Sequence, residues 1–97
     1  MKNATAEAYQ LIQKEQVPEL EFPSTDILDS AEEIISRRAE LERALSLGNL
    51  DHIKVRIIFS DNKGSKAVET TVWGLTDKRV ILKGGAVIPI NRVQSIS

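Results

Sequence analysis

The hydrophobic period of the chain changes once, at residues 48–51, and the sign of its charge changes at the same place. Upstream, Ile27, Ala31, Ile34, Leu41 and Leu45 recur at three- and four-residue steps, with Arg38 as the interruption, while Leu28 and Ile35 broaden the apolar face. That spacing predicts an amphipathic helix over residues 26–47. Ser24, Thr25 and Asp26 offer N-cap oxygens, and Ser30-Ala31-Glu32-Glu33 repeats the capping-box spacing one turn later, so two starts are open. Gly48, free to take the left-handed conformation and followed by Asn49, predicts the stop.

Downstream the period is two. Ile53, Val55, Ile57 and Phe59 fall on one face of a strand, with Lys54, Arg56 and Ile58 on the other. A polar turn over residues 60–65 leads into residues 66–75, rich in Val and Thr, where Gly74 supplies a place to bend. Short strands follow at 79–83 and 86–90, joined by a tight Gly84-Gly85 hairpin, and Pro89 marks an edge or a bulge. Asn91-Arg92 reads as a single turn before a last strand at 93–96. The fold class expected is α+β: N-terminal helices, then a small, strongly bent five-stranded antiparallel sheet or small barrel.

Ahead of the main helix, Ala8, Tyr9, Leu11 and Ile12 lie at roughly helical spacing in residues 4–16, a segment too short to hold without docking. Pro18 and Pro23 make residues 17–24 an extended connector with Leu20 and Phe22 as anchors. The expected organisation is an arm and linker over residues 1–25 and a helix plus small β-barrel domain over 26–97. With 97 residues, 41% of them apolar, there is material for one modest core. The chain has no cysteine, which removes disulfides and thiolate metal sites and suits a reducing compartment. Without a secretory pattern or a run of about 20 apolar residues, a cytoplasmic location and no membrane association are expected.

Through Leu50 there are five Lys/Arg against ten Asp/Glu, and from Asp51 onward eight against four. The net charge of −1 thus hides an acidic half and a basic half. Two readings follow: the halves attract each other, or the basic surface meets a partner.

The order of a helix, the strand of Ile53 to Phe59, the Asp61 to Gly64 turn, a long bent strand, the Gly84-Gly85 hairpin and the ending Ile88-Pro89-Ile90-Asn91-Arg92-Val93-Gln94-Ser95-Ile96 resembles Sm-like and other SH3-like small barrels. The resemblance spans roughly residues 26–97, is one of topology, and lacks the RNA-binding signature residues of Sm-like proteins. Leu75-Thr76-Asp77-Lys78-Arg79-Val80-Ile81-Leu82, followed by Ile88-Pro89-Ile90-Asn91-Arg92-Val93, locally resembles the strand pairs of bacterial PH-like domains. Those domains need further strands and a closing helix, which ranks the small barrel first. The block from Val68-Glu69-Thr70-Thr71-Val72-Trp73 to Ile96 is read as the hallmark of a small bacterial family, a membership that carries no activity with it.

Chemistry is sparse. His52 is the single histidine, and beside Asp51 at a helix-to-strand junction it reads as a solvated residue. Glu32/Glu33 and Glu40/Glu42 read as the wet face of the helix, and Asp61-Asn62-Lys63-Gly64-Ser65-Lys66 lacks the glycine spacing of a phosphate loop. No nucleophile, base and orienter assemble, so neither an enzyme nor a cofactor is expected. The sharper signal is apolar. If Val68, Thr70 and Val72 face inward, Trp73 points outward with Ile58, Ile81 and Val87, a set that needs covering. Either the helix covers it, or a bulge at Gly74 turns Trp73 inward, or it docks a protein partner or a second copy. The alternative function is an Sm-like nucleic-acid-binding regulator using Lys54, Arg56, Lys78, Arg79, Lys83 and Arg92, for which stacking aromatics are few.

Overall fold

The computed structural model describes residues 9–97. Strand β1 (Gln10–Ile12) and a 3₁₀ turn (Lys14–Glu19) precede helix α1 (Ala31–Asp51). Six strands follow: β2 (Val55–Ser60), β3 (Ser65–Thr70), β4 (Val72–Leu75), β5 (Arg79–Leu82), β6 (Val87–Pro89) and, after a 3₁₀ turn (Ile90–Arg92), β7 (Val93–Ile96). They form two sheets, ordered β1-β3-β2-β7 and β4-β5-β6. The α+β class therefore holds. The expected details do not: among the described residues there are seven strands rather than five, the sheets do not close into a barrel, and the helix follows a strand and a 3₁₀ turn instead of preceding every strand.

The helix starts at the later of its two caps, with the Ser30 hydroxyl accepting from the backbone N–H of Glu33 at 3.4 Å. The earlier candidate, Asp26, is used elsewhere: its carboxylate accepts from Leu28 N and from both terminal nitrogens of Arg37. Nor does the helix end at Gly48. It runs on to Asp51, and His52 caps it in the left-handed conformation at φ 55°, donating its N–H to Gly48 O. A non-glycine residue in that conformation costs about 1 kcal/mol. His52→Gly should therefore raise thermal stability by roughly 4–8 °C, which a melting curve would measure.

Gly48 has another duty. A Cβ built on it would lie 2.5 Å from Val72 O and 2.9 Å from Thr71 Cγ2, so the helix backbone rests directly on the start of β4. The buried line of α1 is accordingly Arg37, Leu41, Ala44 and Gly48, rotated from the expected stripe. Ile34 and Ile35, expected to face the core, are exposed. The helix packs across β4 and β7, and Leu41 and Ala44 close the core against the two sheets.

Strand β2 keeps its alternation, with Val55, Ile57 and Phe59 buried, but it starts two residues later than expected and leaves Ile53 exposed. The single bent strand expected over 66–75 is two strands that divide at Thr71, so the chain changes sheets there. In the hairpin, Gly84 and Gly85 take φ of 92° and 102°, as the tight connection requires. Near the N-terminus, residues 10–12 form a strand parallel to β3, not a helix, because pairing with that sheet edge seats Ile12 in the core. The rest of the expected arm, residues 1–8, lies outside the described residues. The connector winds into a 3₁₀ turn containing Pro18 and burying Val17, while Leu20 and Phe22 pack on the core as anchors. The rings of Phe22 and Phe59 lie 6.0 Å apart. Among the described residues no helix is long and apolar enough to cross a membrane.

Candidate functional site

The sheet β4-β5-β6 buries Val72, Val80, Leu82 and Ile88 on one side, and strand alternation sends the neighbours of these residues to the other. On that outer side Ile81 stands opposite both Gly74 and Val87, and Arg79 stands opposite Pro89. The β4–β5 register shifts between Val72 and Gly74, which makes Trp73 the extra residue of a bulge. A bulge was one way to turn Trp73 inward, and here it does the reverse: Trp73 and Gly74 share one position beside Ile81, and Trp73 is 52% exposed. Ile81 leans over the glycine, its Cδ1 3.2 Å from where a Cβ would stand. The helix does not cover this face.

Three of the four expected apolar residues thus meet on one surface: Trp73, Ile81 and Val87, the last 40% exposed. Ile58 does not join them. It belongs to the other sheet, opposite Ala67 and Ser95, because the chain changes sheets between β3 and β4.

The basic residues divide as well. Arg92 is buried and holds the fold: its Nε donates to Ser60 O at 3.0 Å and its Nη1 to Thr25 O at 2.9 Å. It is therefore not a surface ligand for a nucleic acid. Arg56 is engaged by Glu69 and by the Tyr9 hydroxyl, which accepts from its Nη1 at 2.7 Å, and Glu69 holds the guanidinium above its ordinary pKa. Lys54, Lys78, Arg79 and Lys83 are exposed. Along β5 and its exit, Arg79 and Lys83 stand two residues on either side of Ile81, so the apolar face has basic flanks.

Arg79 and Pro89 also line a cleft of about 570 Å³, shared with Phe22, Asp26, Lys78 and Asn91. Its wall is built by the linker, which is pinned at three points. Asn91 Nδ2 donates to Ser24 O, Arg92 holds Thr25, and Ile27 N donates to Asn91 O at 3.0 Å. Trp73, Ile81 and Val87 do not line the cleft; it borders their face through Arg79 and Pro89, the pair one repeat along β5-β6 from Ile81 and Val87. Nothing in the sequence pattern pointed to it, because its linker side at residues 22–26 and its strand side at residues 77–79 and 89–91 lie more than 50 residues apart and come together only in the fold.

Electrostatically, each of the five ion pairs among the described residues joins two members of the same half of the chain. The expected attraction between acidic helix and basic sheets is not expressed as ion pairs. The helix reaches the second half instead through its own arginines, Arg37 to Val93 O and Arg38 to Thr76 O. Compared with protein-family models, curated proteins and solved structures, the chain matches none.

Proposed function

We propose that the protein is a non-enzymatic interaction module whose outer β4-β5-β6 face docks a protein partner. The observation that carries this reading is the position of Trp73, set outward by a bulge next to Ile81 and Val87 and left half in solvent. Trp is the residue type most enriched among interface anchors, and an apolar centre within a charged rim is the usual anatomy of a docking site. The rim here is basic, through Arg79 and Lys83. The partner it fits is therefore a segment with one large apolar side chain among acidic residues, and the adjoining cleft can take its continuation.

Selection of displayed peptides against the full-length chain tests this. The expected winners carry an aliphatic or aromatic anchor flanked by Asp and Glu, and both Trp73→Ala and Arg79→Glu weaken them, the former by about 2 kcal/mol or more. Winners without acidic residues, or binding indifferent to Trp73→Ala, would remove the proposal. The nucleic-acid reading has less support: Arg92 and Arg56 are engaged within the fold, and Trp73 is the one aromatic exposed beside the remaining basic residues.

A further inference from the structure

The cleft beside the Trp73 face is formed before any ligand arrives. Asn91 Nδ2 donates to Ser24 O at 2.6 Å, Arg92 Nη1 donates to Thr25 O at 2.9 Å, and both carboxylate oxygens of Asp26 accept from Arg37, so the linker wall is fixed along its length. A wall already held in place needs little ordering on binding. Phe22, Pro23, Pro89 and Ile90 make the lining largely apolar, and a volume of about 570 Å³ lies in the range of ligand sites. At the mouth the charge is basic. Asp26 is neutralised by Arg37, and Asp77 is outnumbered by exposed Lys78 and Arg79.

The cleft is also in line with the anchor face. Lys83, Ile81 and Arg79 follow one another along β5 and its exit at two-residue steps, each about 6.6 Å, and Arg79 is itself part of the cleft. We propose, resting on the docking role given to Trp73, that the occupant of this line is an extended partner segment with two apolar anchors in the pattern apolar-x-acidic-x-apolar. Its first anchor sits on Trp73, Ile81 and Val87, its acidic residue meets Arg79, and its second anchor enters the cleft among Phe22, Pro23 and Pro89. Lys83, on the far side of the first anchor, selects a further acidic residue two positions away from it.

The repeat of the surface is what favours an extended occupant over a helical one. An extended chain has the same rise as β5, so its alternate side chains stay in step with Lys83, Ile81, Arg79 and the cleft. A helix falls out of step, because each four-residue advance turns the next side chain by about 40° and the fourth in the series points about 120° away from the first. Charge supports the same choice of partner: the cations along this line are exposed, and an acidic residue between the anchors meets them without being buried.

Fluorescence anisotropy of labelled peptides with the full-length chain tests this. The two-anchor probe Asp-Ser-Leu-Ser-Asp-Ser-Leu is compared with a one-anchor form ending in Ser, and with a form in which one extra Ser precedes the last Leu. The two-anchor probe should bind at least about tenfold more tightly than either, since the inserted residue sends the second anchor to the solvent side. Ser24→Phe places a ring in the cleft at an exposed position whose bond to Asn91 is made by its backbone oxygen. It should abolish the gain while one-anchor binding and the melting temperature stay as in wild type. Equal binding of one- and two-anchor probes, tolerance of the inserted residue, or a gain that survives Ser24→Phe would each overturn the cleft assignment and leave the Trp73 reading standing. The probe comparisons need no variant, so they decide the matter whatever Ser24→Phe does to folding. Binding of neither probe, or one-anchor binding indifferent to Trp73→Ala, removes the Trp73 reading and the cleft assignment with it.

Discussion

Gly48→Ala should lower the melting temperature by roughly 10–20 °C, the equivalent of about 2–3 kcal/mol. The substitution would be favourable in an isolated helix, since alanine exceeds glycine in helix propensity by about 1 kcal/mol. Here the added methyl would stand 2.5 Å from a backbone carbonyl oxygen, Val72 O, which cannot swing away as a side-chain end would. Helix and β4 would have to separate, and the fully buried contacts of Leu41 and Val72 would loosen with them. Gly64→Ala is the control. Nothing lies within 4 Å of its Cβ position, so any cost there comes from its φ of 148° alone and should be smaller. Equal losses in the two variants would contradict the close packing of α1 on β4.

Arg37→Ala is expected to cost about 2 kcal/mol at neutral pH, less than the 3–5 kcal/mol typical of a broken buried pair because its partner is partly hydrated. The Arg37 side chain is 4% exposed and that of Asp26 30%. Their bidentate bonds, 2.9 and 2.8 Å, tie the linker to the helix, and Arg37 Nη1 also donates to Val93 O at 3.2 Å. Three segments distant in sequence meet at this one guanidinium. Its hydrogen bonds hold the Asp26 carboxyl below its ordinary pKa, against the opposing effect of burial. Asp61 is also lowered: burial pushes it up, but hydrogen bonds from Lys63 N, the Lys66 ammonium and Gly64 N outweigh that effect. A depressed native carboxyl stabilises the fold above its unfolded-state pKa, and that contribution disappears as pH falls through the native value. Wild-type stability should therefore decline below about pH 4. In Arg37→Ala the decline should be shallower, with the Asp61 share retained, as urea titrations at stepped pH would measure.

The legible parts of the fold were those fixed by local chemistry. Ser30 followed by Glu33 marked one of two helix starts and is the one used, alternation marked Val55, Ile57 and Phe59, and Gly84-Gly85 marked the hairpin. The parts that depended on remote partners were hidden. Gly48 reads as a stop by propensity, yet its missing side chain serves contact with a strand 24 residues away. Arg37 has no place in the expected apolar stripe, yet with Asp26 and Val93 O as partners it occupies the core-facing line, and Ile34 and Ile35 lie outside. Strand β1 is three residues long and exists because β3 offers an edge. At the candidate site, inward Val72 correctly implied outward Trp73, but alternation could not reveal that Ile58 and Trp73 belong to different sheets.

Trp73 is the only tryptophan, so its emission reports on the proposed docking face directly. The decisive measurement is a fluorescence titration of the full-length chain, with a selected acidic peptide and, separately, with mixed-sequence RNA and single-stranded DNA, across a range of salt. Emission near that of solvated tryptophan is expected in the free chain, with a saturable blue shift on adding the peptide and no change with either nucleic acid at low salt. A spectrum unmoved by peptide, together with nucleic-acid binding that weakens steeply with salt, would contradict that expectation.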